Sequence, residues 1–400
     1  MTSRVSVLTL SLLMAASATA ATADVVLNPD MAAPPIAVAP SIPVTTVYSL
    51  TPAEGGIRCD NGNLAFPAGL NFPAGLIRVY KTPDGKDNMG ARPQTYSLRF
   101  DVLPNGRMTN IRPEAAPYGL FSNEFLPAWA AGWSLGTQPE TLKGCKMAWT
   151  IVTDHAPDKL MPLTYEALLM RNYTAGISQS DLRSEACKTA QRRIRTRAYP
   201  DARRLTRKPG QAQWVIETYD VLANGKTRPK GILRSDMSPE NTVAVTKALS
   251  EAVYFDGEAA SNCPTSYVIP ADVLPADDRA LWPVLKALNA DAIDDESDSK
   301  TCPEETRKAM VQFNYRPELY PTVANRLNIE GVAVLTYDVA PWGQVRVKSS
   351  WAHPLPQFAS AAQRMLMQST LKPGPGLSGC RVKVRFVVEK DKPEEAAEVQ

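Results

Sequence analysis

The sequence predicts an α+β protein of three tandem small domains, each a three-stranded antiparallel sheet with one packed helix. Three observations carry this. The string Phe100-Asp101-Val102-Leu103-Pro104-Asn105-Gly106 recurs as Tyr219-Asp220-Val221-Leu222-Ala223-Asn224-Gly225 and as Tyr337-Asp338-Val339-Ala340-Pro341-Trp342-Gly343. The three glycines lie 39, 38 and 37 residues before Cys145, Cys263 and Cys380. Between glycine and cysteine each segment carries an apolar stripe at helical spacing.

Length and composition agree. Four hundred residues hold two or three domains of about 100–200 residues each. The chain is 44% hydrophobic and 21% charged, as globular proteins are. Lys+Arg 44 against Asp+Glu 41 leaves +3, too balanced for a dedicated nucleic-acid binder. The only histidines, His155 and His353, read as surface residues and leave little material for His-based catalysis. No cofactor motif and no metal-ligand spacing is present, so neither a catalytic nor a metal site is expected.

Residues 1–23 read as a signal peptide, with Arg4, the apolar stretch Val5–Ala16 and small residues at 18–23. Residues 24–47 form a Pro- and Ala-rich leader that favours extended polyproline II. The first copy spans 48–155, the second 180–272 and the third 299–390. Residues 156–179 and 273–298 are linkers, with the apolar stretches Leu160–Met170 and Leu281–Leu288 expected as helices between domains. The acidic stretch Asp291–Asp298 lacks the spacing and glycine of a calcium loop and reads as solvated linker. The tail 391–400 is acidic and expected to be disordered.

An exported chain keeps disulfides. Six cysteines allow 15 connectivities. The repeat selects one bridge per copy: Cys59–Cys145, Cys187–Cys263 and Cys302–Cys380. Closing a loop of about 80 residues is worth roughly 4 kcal/mol in the chain-entropy model, which matters to a domain with a small core.

Within each copy the expected order is strand, turn, strand, helix, strand. Ala333, Leu335, Tyr337 and Val339 alternate along the first strand of copy three, as Tyr96, Leu98, Phe100 and Val102 do in copy one. Glu217 breaks the pattern in copy two and predicts a bulge or an exposed strand end. Ser238 caps the second helix with Pro239 at its first position. The buried helix faces are Phe125, Leu126, Trp129, Ala130 and Trp133; then Val245, Ala248, Leu249, Ala252 and Val253; then Phe358, Ala361, Ala362 and Met365. The closing strands are expected at Met147–Val152, Thr265–Ile269 and Val382–Val388.

Tyr320-Pro321, Ala324, Ile329-Glu330-Gly331, Tyr337-Asp338-Val339, Gly343, Val345, Phe358, Ala361, Ala362 and Lys372-Pro373-Gly374 stand in register with a closing strand Val382–Val388. On these residues the third copy resembles the C-terminal domain of TonB, which couples inner-membrane energy to outer-membrane transport. The resemblance covers 320–388; the second copy keeps Tyr199-Pro200 and Tyr219–Gly225, and the first keeps Phe100–Gly106, the helix and the closing strand. It implies a non-enzymatic protein-binding module in the periplasm whose last strand pairs with an extended segment of an outer-membrane receptor or another periplasmic protein. That edge is Arg381, Val382, Lys383, Val384, Arg385 and Phe386, where Arg381, Lys383 and Arg385 alternate outward and favour an acidic segment. A cleavable N-terminus, a short leader and three copies depart from a transducer and point to binding rather than force transmission. A membrane-anchored energy transducer is the alternative reading.

The run Arg192, Arg193, Arg195, Arg197, Arg203, Arg204, Arg207, Lys208 lacks aromatic interleaving apart from Tyr199. It reads as a solvated basic helix face or, in a second alternative, as a patch through which an envelope module binds anionic lipid or peptidoglycan. Gly132-Trp133-Ser134-Leu135-Gly136 matches a nucleophile elbow, but its place at the end of a helix is wrong for one.

Overall fold

The computed structural model describes residues 47–66, 95–115, 125–154, 161–163, 165–166, 182–276, 302, 319–368 and 373–388. Within them the chain is α+β, with antiparallel sheets and short helices.

The first repeat contains β1 (Val47–Pro52), β2 (Ile57–Cys59), β3 (Gly62–Leu64), β4 (Thr95–Val102), β5 (Met108–Ala115), α1 (Phe125–Ala131) and β6 (Leu142–Asp154). The second contains α2 (Glu185–Arg192), β7 (Ile194–Thr196), β8 (Gln213–Val221), β9 (Thr227–Ser235), α3 (Pro239–Glu251), β10 (Val253–Tyr254) and β11 (Ala260–Ile269). The third contains α4 (Thr322–Arg326), β12 (Gly331–Val339), β13 (Val345–His353), α5 (Pro356–Met367) and β14 (Leu377–Phe386).

Each repeated string makes the same hairpin. The amides of Gly106, Gly225 and Gly343 donate to the carbonyls of Leu103, Leu222 and Ala340 at 2.8, 2.9 and 2.8 Å. All three glycines sit at positive φ (79°, 73° and 89°), where a side chain is strained. The hairpin then meets its closing strand, giving sheets ordered β11-β8-β9 and β13-β12-β14 in the second and third repeats.

The first repeat corrects the expectation of three strands. Among the described residues its sheet has six, in the order β3-β2-β6-β4-β5 with β1 also on β6. The reason is length. Strand β6 runs 13 residues against the 8 of β4, and its far edge is long enough to pair twice. Strand β1 takes Trp149–Asp154 and β2 takes Lys146.

The helices match the expected apolar faces, with Ser238 Oγ accepting from the Asn241 amide at the start of α3. Val253 leaves that face and is exposed in β10. The closing strands start three residues before each cysteine, not at it. Glu217 sits at a register shift, so the bulge is present, but it is buried rather than at an exposed end. His353 is also buried, against the surface placement expected of it. It lies between the first and third repeats, where its Nδ1 is 2.7 Å from Thr109 Oγ1.

The sheets are separate but the apolar core is not. One cluster runs from Phe100, Trp129 and Trp149 through Leu163 and Tyr165 and then Trp214 and Ile216 to Tyr337, Phe358 and Phe386. Leu163 and Tyr165 belong to the expected linker 156–179 and pack as its apolar pattern required. Leu274, from the second linker, bonds the third repeat through Leu274 N to Asn328 O (2.9 Å) and Glu330 N to Leu274 O (3.0 Å).

The three disulfides are Cys59–Cys145, Cys187–Cys263 and Cys302–Cys380. They fit an oxidising compartment. Among the described residues, no helix is long and apolar enough to cross a membrane. The signal peptide, the leader before Val47, His155, Asp291–Asp298 and the tail 391–400 lie outside the described residues.

Candidate partner-binding edge

The three closing strands meet their hairpins through one shared device. Each repeat's motif aspartate accepts the backbone N–H of the residue just before the second cysteine. Asp101 Oδ1 takes Gly144 N at 2.8 Å, Asp220 Oδ1 takes Asn262 N at 2.9 Å, and Asp338 Oδ1 takes Gly379 N at 3.0 Å. Those three residues have φ of 60°, 54° and 71°. Each marks a register shift between hairpin and closing strand. The carboxylate thus holds a bulge that re-aims the closing strand.

The other carboxylate oxygen is held from the hairpin's second strand. Asp101 accepts from Asn110 Nδ2 (2.6 Å), Asp220 pairs with Arg228 (2.8 Å) and Asp338 with Lys348 (2.8 Å). The Lys348 ammonium and the Gly379 amide hold the Asp338 carboxyl below the ordinary carboxylate range. Burial alone would raise Asp220, but Arg228 and the Asn262 amide outweigh it and lower it. The sequence repeats this aspartate without revealing its work; the Gly or Asn before each second cysteine was the available signal.

In β14 the faces alternate. Cys380, Val382 and Phe386 are buried against β12, and Arg381 and Arg385 are exposed with half-buried Lys383 between them. Phe386 packs on Tyr320 and Phe358 at 5.7 and 4.9 Å between ring centroids. The hydroxyl of Tyr320 donates to Ile329 O at 2.7 Å. The Tyr-Pro and Ile-Glu-Gly segments therefore anchor the end of β14. Among the described residues, β12 is the only strand paired with β14. Inward Val382 and Phe386 offer a partner their backbone alone; the outward residues offer charge.

The equivalent edges differ. In β6 it is filled by β1 and β2. In β11 no described strand fills it, Pro264 lacks a donor, and helix α2 is tied to the strand by Cys187–Cys263.

The basic run is not one helix face. Arg192 ends α2, and Arg193 caps it while donating to the carbonyls of Phe255 (3.2 Å) and Glu258. Arg195 stacks over the exposed Phe255 ring at 6.0 Å. Arg197 lies next to β7, Arg203 and Arg204 lie in a short 3-10 turn with Arg204 3.4 Å from Asp201, and Arg207 and Lys208 follow in the loop. Arg203 and Arg207 line a shallow depression of about 420 Å³ that also contains Asp272. The run is split between two places, and Arg193 is engaged in holding backbone.

Gly132–Gly136 follows α1 and leads through an isolated bridge at Ser134 towards β6, without the strand before and helix after that an elbow requires. Compared with protein-family models and with curated proteins, the chain matches none.

Proposed function

We propose that the chain is an exported, non-enzymatic binding protein of three diverged TonB-C-like domains that recruits extended partner segments by strand addition to β14. The observation that carries this is the contrast in closing strands. The same repeat has its edge filled from within the chain at β6, while among the described residues β14 pairs with β12 alone. An open edge offers a row of unpaired backbone groups that a partner strand satisfies. Arg381, Lys383 and Arg385 beside it select an acidic segment of an outer-membrane receptor or another periplasmic protein. Deep anchoring of β14 by Phe386 and Cys380 supports the role, because a rigid template costs less ordering entropy on pairing.

The test is a photo-crosslinking residue at Lys383 in the native host, with a matching one at Lys146. Capture of an envelope protein at Lys383, lost in Val384→Pro with unchanged circular dichroism, supports strand addition. Equal capture in the folded proline variant overturns it.

A further inference from the structure

The outer face of the first repeat's sheet carries a row of four cations. Arg58 is the register partner of Lys146, Lys146 of Arg99, and Arg99 of Arg112. Neighbouring strands are only about 4.8 Å apart, and like charges directly opposite one another repel. Glu114 relieves one of them, lying 2.5 Å from Lys146. Lys146 first, and Arg99 further off, hold the Glu114 carboxyl below its ordinary value. Arg58 and Arg112 have no hydrogen-bonded or ion-paired partner among the described residues.

One step along the strands, about 7 Å away, the chemistry inverts. There Asp101 accepts from Gly144 N and Asn110 Nδ2, each oxygen keeping a second lone pair. The Asp60 carboxylate lies over Gly144, in the space a Cβ would fill.

Arg99 and Arg112 of the first row and the carboxylates of the second face a cleft of about 620 Å³. Arg99, Arg112, Asp60, Asp101 and Asn110 form one wall, while Ser350, Trp351 and Ser360 of β13 and α5 form the other. Neither repeat makes this cleft alone. The walls are joined beneath it by His353 on Thr109 and by Ile111 N donating to Pro354 O at 3.4 Å. Burial pushes the His353 imidazole down to about 3, so this joint holds a neutral ring across the ordinary pH range.

A bare anion suits the guanidiniums but is opposed by two carboxylates on the same wall. A ligand that satisfies both rows carries an anionic group at one end and hydroxyl donors about 7 Å from it. The half-buried Trp351 supplies a flat apolar surface opposite. We propose that this cleft binds an anionic saccharide. Arg99 and Arg112 hold its carboxylate or phosphate, Asp60 and Asp101 accept from its hydroxyls, and Trp351 takes the face of the ring.

The test is calorimetric titration of the full chain with trigalacturonic acid and mannose 6-phosphate, which separate carboxylate from phosphate sources. Maltotriose, inorganic phosphate and a Glu- and Lys-containing peptide are the comparison probes. Binding of either acidic sugar, weakened at least tenfold by Arg112→Glu and by added salt, supports the proposal. Trp351→Ala is expected to cost a similar factor. The exposed Arg112 makes the first variant safe for folding. No binding of either acidic sugar, equal binding of maltotriose, unchanged affinity in Arg112→Glu, or preference for free phosphate or the peptide overturns it.

Discussion

Strands β6 and β14 close the same repeat, begin three residues before the same cysteine and share the same aspartate-held bulge. Yet β6 lies inside a six-stranded sheet and β14 on the border of a three-stranded one. What separates them is what lies upstream in the chain. The first repeat begins with β1, whose register from Val47↔Asp154 to Pro52↔Trp149 fills the edge, and its first cysteine sits in β2, beside β6. The difference teaches that the filling of an edge depends on a neighbouring segment as well as on the strand's own length, 13 residues in β6 against 10 in β14.

The largest effect expected is on the disulfides. Replacing Cys302 and Cys380 by serine opens a loop of 78 residues, and replacing Cys59 and Cys145 one of 86. Each is expected to lose on the order of 4 kcal/mol in urea unfolding. A much smaller loss at Cys59–Cys145 would show that β-pairing of β2 to β6 already supplies the constraint.

Next is Glu217. It stands where the other repeats carry the core leucines Leu98 and Leu335, and burial pushes its carboxyl up to about 6 from 4.5 despite a 2.7 Å hydrogen bond from Thr246. A raised folded pKa means that the folded state holds the proton more tightly. Stability is therefore greatest below about 4.5 and falls as pH rises through about 6. Glu217→Leu is expected to remove that slope and stabilise by roughly 2 kcal/mol at pH 8. Asp236, raised to about 7 by burial, leaves a slope of the same sign in the variant. Urea midpoints from pH 4 to 8 measure both, and a less stable variant at pH 8 contradicts the assignment.

Asp220→Ala is expected to cost about 1–3 kcal/mol, because it leaves the Asn262 amide without its acceptor. Faster hydrogen exchange at Asn262 and Cys263, with β9 unaffected, is the local sign that the bulge has been released. Smallest is Leu50→Asp in β1, read as partner capture and not as stability. Loosening β1 is expected to give β6 a weak ability to capture the segments proposed to pair with β14. No gain of crosslinking at Thr150, which β1 covers, would mean that an open edge alone is not enough.

Local features were legible wherever the physics is local. Gly106, Gly225 and Gly343 mark their turns because positive φ favours glycine, and Ser238-Pro239 marks a helix start because cap and ring suit one position. The third repeat's closing strand, expected at Val382–Val388, was legible as a strand but runs Leu377–Phe386. His353 was misread because one histidine in a Pro-rich turn carries no period, and only packing of the first repeat on the third buries it. The charged cleft was invisible for a related reason. Arg99 and Arg112 line it as part of a row with Arg58 and Lys146 that comes from four strands whose register no single segment encodes.

By itself, then, the sequence determined the hairpins, the helix faces and, through the spacing of its repeat, the three bridges. These rest on turn chemistry, periodicity and loop length, which are properties of contiguous residues. Tertiary structure alone decided that β1 crosses to β6, that one core joins the repeats, and that among the described residues β14 pairs with β12 alone. Those outcomes depend on which distant segments meet, and backbone hydrogen bonding, being the same for every residue except proline, leaves no mark in the sequence to foretell it.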